Sequence, residues 1–480
     1  MRLFKDGSEF GGWQRGLLRA ALLTAAVGLP ALAFGQDPAA APAAAPAADA
    51  LPDVNSGDTA WMLTSSALVM LMTPGLALFY GGMIRTKNVL NTLMQSFIAL
   101  SIITIFWVIC GYSFAFAPGS PFYGGTDYFM LKGVEQTTFA LNGTKYTMPH
   151  QVFSFYQLMF AIITPALISG AIADRMKFGA YIAFISMWHF IVYIPLAHMV
   201  WGEGGYIFNL GAWDFAGGLV VHISSGVSAL VLSIILGKRK LTAKDDTRPH
   251  NLPMTLIGTA LLWFGWFGFN AGSALGSGGL AGAAFMTTHV AAATAGLVWI
   301  IIEWFAIGKP TALGFATGAV AGLVAITPCA GFVDVGAALI IGGAVSVISY
   351  FAIKLKSKFG YDDTLDVFGV HGVGGIWGAI AVGLFAKASV NPASLAVDAA
   401  NPINGLMNGG GMTLLMKQLT SVGIAVVIAV VGTMLIAGIL KAAGILRATE
   451  AEEDLGLDQT QHGEEAYNGM AGADGAMSGR

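Results

Sequence analysis

The chain has 480 residues, of which 55% are hydrophobic and 11% charged, with a formal net charge of -3 and two cysteines. Soluble domains carry about 25% charge, so this is not a cytosolic composition, and 24 Lys and Arg placed largely in short loops offer no field for nucleic acid. Cys110 and Cys329 fall inside apolar stretches, where neither a disulfide framework nor a thiolate metal site can be read.

In chain order, Arg2, Lys5, Arg15 and Arg19 precede an apolar segment that ends in Ala31-Leu32-Ala33, a small-x-small pattern. Residues 1–35 read as a secretory signal peptide, the alternative being an uncleaved extra span. An Ala/Pro-rich periplasmic linker follows over 36–56. From there, stretches without Asp, Glu, Lys or Arg recur, each near the roughly 20 residues that a bilayer core of about 30 Å requires. The run from Pro249 to Ile302 is 54 residues long and is divided by a Gly-rich break from Gly272 to Gly282. The expectation is an all-α polytopic membrane protein with eleven spans, near 59–84, 89–117, 150–173, 178–200, 215–236, 253–271, 280–306, 310–328, 332–353, 367–386 and 412–440. The membrane domain thus covers 57–446 and a tail covers 447–480. Loops after odd-numbered spans hold 15 Lys and Arg, and those after even-numbered spans hold 4. The odd-numbered exits and the acidic tail are therefore expected in the cytoplasm and the mature amino terminus outside.

Spans five and ten each open on an acid and then carry one histidine: DFAGGLVVH sets Asp214 eight residues before His222, and DVFGVH sets Asp366 five before His371. Since the two spans enter from opposite sides, five helices followed by five of opposite sense, with the eleventh apart, form an inverted repeat. At 1.5 Å per residue, His222 lies roughly 12 Å from Asp214 and His371 roughly 7.5 Å from Asp366. That leaves about 10 Å between them across a core of about 30 Å, so spacing alone does not bring the rings together.

Ionisable groups inside a bilayer are functional candidates by default, which singles out His222 and His371; the ordinary alternative is a neutral histidine hydrogen-bonded between helices. Asp214 and Asp366 read first as N-caps, and Asp214, on the outer side, has the further role of stabilising an arriving cation. Asp174, Arg175 and Lys177 read as interfacial anchors. His150, His189, His198, His250 and His289 read as local structural groups. Trp201, Phe160 and Phe269 fit either an aromatic belt or a cation-holding cluster, and Ser273 adds a hydroxyl.

The stretches TPGLALFYGGMIRTKNVL, IPLAHMVWG, DFAGGLVVH, HNLPM followed by GWFGFNAGSA, and DDTLDVFGVHGVGGIWG resemble the ammonium transporter family, Amt/Mep/Rh, in its bacterial branch, from about Trp61 to the HGEEAY at His462–Tyr467. The resemblance implies a homotrimer with one narrow pore per protomer, and no cofactor, metal or covalent catalysis. By motif, Trp201, Phe160, Phe269 and Ser273 match the outer ammonium recruitment site, with Tyr156 and Gln157 where Phe-Gln is common. Phe79, Trp266 and Thr327 match pore-lining positions, His222 and His371 the twin pore histidines, and Asp214 the acid beneath the recruitment site. The implied function is ammonium uptake, in which the cation is deprotonated and ammonia passes the histidines with associated proton movement. The tail GLDQTQHGEEAYNG resembles the segment that contacts neighbouring protomers and responds to PII signal proteins. Two other classes stand beside this: an ammonium sensor with little flux, and a bis-histidine haem protein, for which no c-type attachment motif is present.

Overall fold

The structure, a computed structural model, describes residues 51–241, 247–395 and 401–467. The expected signal peptide and the linker up to residue 50 lie outside the described residues. Among the described residues ten helices are long and apolar enough to cross a membrane, and a shorter apolar one completes the eleven: α1 (Ser56–Met83), α2 (Thr86–Phe116), α3 (His150–Ile172), α4 (Phe178–Leu210), α5 (Gly218–Leu236), α6 (Leu252–Ala274), α7 (Gly279–Ile307), α8 (Ala312–Ile326), α9 (Val335–Phe359), α10 (Phe368–Phe385) and α11 (Thr413–Ala442). Each lies within a few residues of its expected span except at the ends of α4 and α9, which run ten and six residues beyond it. The Gly-rich break falls at the α6–α7 turn, where Leu275 has a φ of +55°.

Packing follows the inverted repeat. The pairs α1·α3, α2·α3, α2·α4 and α3·α5 of the first half recur as α6·α8, α7·α8, α7·α9 and α8·α10 in the second, and α1 runs against α6. Helix α3 is buried almost all round, as a helix apolar on every face must be. Helix α11 stands outside the repeat, packed on α4, α5 and α10 and tied by hydroxyls, since Thr433 donates to Ser228 Oγ (2.8 Å), which also accepts from Trp188 Nε1 (2.9 Å).

The halves touch where glycine removes the side chain. A Cβ on Gly226 of α5 would lie 2.1 Å from the Gly372 nitrogen of α10, and one on Gly375 would lie 2.9 Å from His222 Cβ. Three spans widen into π-helical turns near their functional candidates: Gly218–Ile223 carries His222, Phe267–Ala271 carries Phe269, and Phe368–Gly372 carries His371. Such turns add a residue to the helix and re-aim side chains, and they recur at functional sites.

At the basic end, Asp174 and Arg175 are not surface anchors, whereas Lys177 is partly exposed at the start of α4, 3.6 Å from Glu452. Asp174 is fully buried and accepts from Arg85 Nε (3.0 Å), Asn88 Nδ2 and Arg239 Nη1 (3.5 Å). Arg175, also fully buried, donates to the Ala171 and Ala173 carbonyls and to Thr364 Oγ1. A charge costs several kcal/mol to bury unless paired and hydrogen-bonded, so these groups bind the α1–α2, α3–α4 and α9–α10 turns together. The tail docks on the same end of its own chain through α12 (Glu450–Leu455), which opens on a Thr449/Glu452 capping box. Asp458 accepts from the Leu90 (3.0 Å) and Asn91 (2.8 Å) nitrogens at the start of α2, and Tyr467 meets His250 Nε2 at 2.9 Å.

Candidate pore and its two mouths

The poorly basic end is the one that the charge asymmetry of the loops leads one to expect on the outside. There a cavity of about 290 Å³ is lined by Gln157, Phe160, Trp201, Asp214 and Ser273, among others. Its floor is the contact of Phe160 and Phe269, whose ring centroids stand 4.3 Å apart, while Trp201 meets Phe160 edge-on at 6.1 Å. Ser273 Oγ and Tyr156 OH lie 3.1 Å apart; Tyr156 OH also lies 2.9 and 2.8 Å from the Gly268 and Phe269 carbonyls. The phenol therefore braces the α6 turn that presents both Phe269 and Ser273.

Asp214 is buried beneath this cavity, with its carboxylate turned into backbone rather than open space. Oδ1 accepts from Gly217 (2.8 Å) and Gly218 (2.7 Å), and Oδ2 from Leu219 (2.7 Å) and Val220 (3.4 Å). Gly217 has a φ of +115°, a conformation that permits this wrap. Trp201 Nε1 donates to the Asp214 carbonyl at 3.0 Å, so one residue orders both the start of α5 and the indole. The geometry is that of a helix cap, as one of the two readings of Asp214 expects.

Below Phe269 is a narrow chamber lined by Leu76, Phe79, Val221, His222, Trp266 and His371, among others, with about 10 Å³ open to the centre of a water-sized molecule, roughly one such molecule. His222 and His371 touch here, Nδ1 to Nδ1 at 3.3 Å. The gap expected from helical rise does not exist, because residues 211–217 before α5 are not helical and the glycine crossing draws α5 and α10 together. Trp266 stacks on His222 at 5.5 Å.

Thr327 fixes the proton positions of the neutral pair. Its hydroxyl donates to the Leu323 carbonyl (2.8 Å) and accepts from Trp266 Nε1 (2.9 Å), so toward His222 Nε2, at 3.4 Å, it can only accept again. His222 then carries its proton on Nε2, His371 donates from Nδ1 to His222 Nδ1, and His371 Nε2 keeps a free lone pair. His371 and Phe79 line both the chamber and an inner vestibule of about 190 Å³ that opens at the basic end past Tyr80, Thr364 and Asp366.

The acid at the inner mouth corrects the sequence reading. Asp366 forms an ion pair with Lys356 at 2.5 Å and caps nothing. The partner of Asp214 in the repeat is Asp363, eight residues before His371 as Asp214 is eight before His222; it is buried, and its Oδ2 accepts from Phe368, five residues on, at 2.7 Å, as Asp214 does from Leu219. The equal spacing was present in DDTLDVFGVH, where the nearer Asp366 drew the pairing.

Two of the other histidines have structural partners in neighbouring segments: His198 lies within hydrogen-bond reach of the Ala115 (3.0 Å) and Ser120 (2.8 Å) carbonyls, and His150 of Tyr112 OH at 2.5 Å. Among the described residues no group of three or more His, Cys, Asp or Glu is placed to hold a metal ion.

Comparison with known proteins agrees with this architecture. The Ammonium Transporter Family matches residues 60–467. The chain is 52% identical over 414 residues to an ammonium transporter of Bacillus subtilis (strain 168), covering 86% of this chain and 98% of that protein. To an ammonium transporter of Mycobacterium tuberculosis (strain ATCC 25618 / H37Rv) it is 46% identical over 440 residues, 87% and 91% of the two chains. Saccharomyces cerevisiae Mep2 superposes with a TM-score of 0.74 at 35% identity, over 83% of this chain and 91% of that one. A sensor Amt protein does so with a TM-score of 0.75 at 28% identity, over 85% and 98%. This chain is a multi-pass membrane protein and belongs to the ammonium transporter family.

Proposed function

We propose that the chain takes up ammonium across the bacterial inner membrane, with the substrate crossing the centre of the pore as ammonia. The observation that carries this reading is the order of groups along one path: an aromatic and hydroxyl cavity, a closed pair of phenylalanines, two histidines in contact, and a vestibule. Ammonium in the outer cavity exchanges water for the faces of Trp201, Phe160 and Phe269 and the Ser273 hydroxyl, each cation–π contact contributing about 0.5 to 2 kcal/mol. That is less than the several kcal/mol needed to strip a cation completely, so the charge stops at the phenylalanines and the proton is released. Ammonia then passes between Phe79 and Trp266 and meets the lone pair on His371 Nε2, while Thr327 holds the pair in register. Potassium has no proton to release and is excluded.

Asp214 acts through its charge and through the turn it builds; its oxygens are engaged by four backbone N–H groups and do not ligate the substrate. Net transport of ammonium, with the proton moved past Asp214 and the histidine pair, is the reading adopted over a sensor with little flux. The contact of His222 Nδ1 with His371 Nδ1 also leaves no space between the rings for a haem iron.

The same reading places residues 1–35 as a cleaved leader, 36–56 as a periplasmic linker, 57–446 as the transport domain and 447–480 as a cytoplasmic tail open to a PII signal protein. A homotrimer is supported by the outer surface of α6 and α7. His289 is exposed in the middle of α7, 5.4 Å from Trp263, whose buried Nε1 has no hydrogen-bond partner among the described residues. An imidazole facing lipid is costly, and a second copy of the chain over this face removes that cost.

The test of uptake is accumulation of radiolabelled methylammonium in proteoliposomes. Accumulation competed by ammonium and not by potassium is expected; none, with correctly inserted protein, would exclude transport.

A further inference from the structure

One wall of the outer cavity is a hairpin from the loop between α2 and α3. Residues 139–146, FALNGTKY, put an Asn-Gly pair between two short runs, a hairpin signal. Phe139–Leu141 pairs antiparallel with Thr144–Tyr146, and Asn142 and Gly143 take φ of +48° and +75°, the positive pair that a type I′ turn requires. Its base is fixed by aromatic contact, with Phe139 stacked on Tyr146 (5.0 Å) and on His150 (4.4 Å) at the start of α3. Leu141, Asn142, Thr144 and Tyr146 line the same cavity as Trp201 and Ser273.

The tip of the hairpin is bonded to the turn at Gly202–Gly205, which interrupts α4 just past Trp201. Asn142 Nδ2 donates to the carbonyls of Trp201 (3.3 Å) and Gly202 (3.0 Å), Oδ1 accepts from the Gly204 nitrogen (2.9 Å), and the Asn142 backbone N–H donates to Glu203 Oε2 (2.6 Å). The last carbonyls of a helix have no partner within it, so a side chain from another segment supplies what the stretch Ile194–Trp201 lacks. Few residues serve here. Asparagine accepts a positive φ and carries donors and an acceptor on one short side chain; glycine and aspartate keep the turn but lack the donors. Trp201 is thereby held at both ends, since its indole Nε1 donates to the Asp214 carbonyl at 3.0 Å while Asn142 fixes its own carbonyl.

We infer that Asn142 is a positioning residue for substrate capture: it acts through Trp201, setting the indole plane against which the cation is held. The inference rests on the reading of this cavity as the place where ammonium is recruited. A cation–π contact requires the cation to stand over the ring face, so an indole whose backbone is free to shift captures the cation less well. The chamber of His222 and His371 is lined from α1, α3, α5, α6, α8 and α10 and keeps its shape when the hairpin tip is released. Loss of the clamp therefore weakens capture and spares the later passage.

Initial rates of radiolabelled methylammonium uptake into proteoliposomes, measured over a range of concentrations, test this with the parent, Asn142→Gly, Trp201→Ala and the double variant. Asn142→Gly keeps the turn and removes the clamp. Its half-saturating concentration should rise about threefold or more while its maximal rate stays within about twofold of the parent's. In the Trp201→Ala protein the same change should add nothing, since the clamp acts through the indole. Asn142→Asp replaces the glycine variant if that one misfolds; a carboxylate at the cavity wall would by charge alone lower the half-saturating concentration, so a rise reports the lost donors. An unchanged or lowered half-saturation in the Asn142 variant, with Trp201→Ala shifted, would overturn the inference. So would a lost maximal rate at unchanged half-saturation, which is what a merely structural hairpin gives, or a fully additive effect in the double variant. A Trp201→Ala protein that saturates as the parent does would overturn the recruitment reading itself.

Discussion

Thr327 has three partners for one hydroxyl, and that arrangement makes the histidine pair directional. Thr327→Val keeps the shape but leaves the buried Trp266 N–H unpaired, at a cost of about 1–3 kcal/mol, and frees His222 to take either tautomer. Methylammonium uptake should fall severalfold in Thr327→Val and recover in Thr327→Ser; equal uptake in all three would show that the hydroxyl does not order the pair. Trp201, Phe160, Phe269, Ser273, His222 and His371, which their motifs single out, line neighbouring cavities along one path. The contact between the two rings was not legible. Period-3.6 arithmetic places residues on a straight helix, whereas π-helical turns carry both histidines and residues 211–217 are not helical. Asp363 was missed for a related reason, since an acid five residues from a histidine looks like a helix cap until the turn between them is seen.

Between elements, the crossing of α5 and α10 and the turn that follows α9 are the most sensitive places. Gly226→Ala puts a methyl 2.1 Å from the Gly372 nitrogen, and overpacking of this kind costs about 1–3 kcal/mol; thermal unfolding in detergent should begin lower and uptake should be lost, whereas Gly423→Ala, where a Cβ meets nothing within 4 Å, should leave both unchanged. The adjacent carboxylates Asp362 and Asp363 give opposite pH dependences. Burial alone would raise Asp362, but the hydrogen bond and charge of Arg239 hold it down to about 2, so its stabilising contribution is present above the ordinary value near 3.8 and is lost as pH falls through about 2. Asp363 is pushed up to about 6 by burial and by the charge of Asp366. The folded protein therefore takes up that proton before the unfolded chain does, and gains stability as pH falls from above 6 toward 4. Unfolding temperatures measured from pH 8 to 5 should show this rise in the parent and a smaller one in Asp363→Asn; an unchanged slope would contradict the assignment. None of this charge network was visible in sequence, because Arg85, Asp174, Arg239 and Asp362 come from four different segments and look like ordinary loop charges.

For the whole molecule, the eleven spans followed from hydrophobic length, a property of the chain against the bilayer rather than of packing, and the inverted repeat from the acid–histidine motifs of spans five and ten together with the loop charges. Which surfaces meet was beyond that reasoning, since the lipid-facing and buried sides of these helices are almost equally apolar. The tail illustrates the limit: its acidic composition does not reveal that Asp458 caps α2 and that Glu453 is buried against Arg447. Asp458→Ala should expose the tail to limited proteolysis at lower protease concentration than in the parent; equal protection would mean that the cap does not hold it. The central claim, that ammonium gives up its proton above the histidines and that the proton crosses with it, is tested most directly by current from proteoliposomes on a solid support. Pulses of ammonium and of potassium should be compared for the intact protein and for Asp214→Ala at matched reconstitution. A current with ammonium alone, abolished in Asp214→Ala, is the expected result; an equal current with potassium, or no current while the vesicle interior changes pH rapidly, would contradict it.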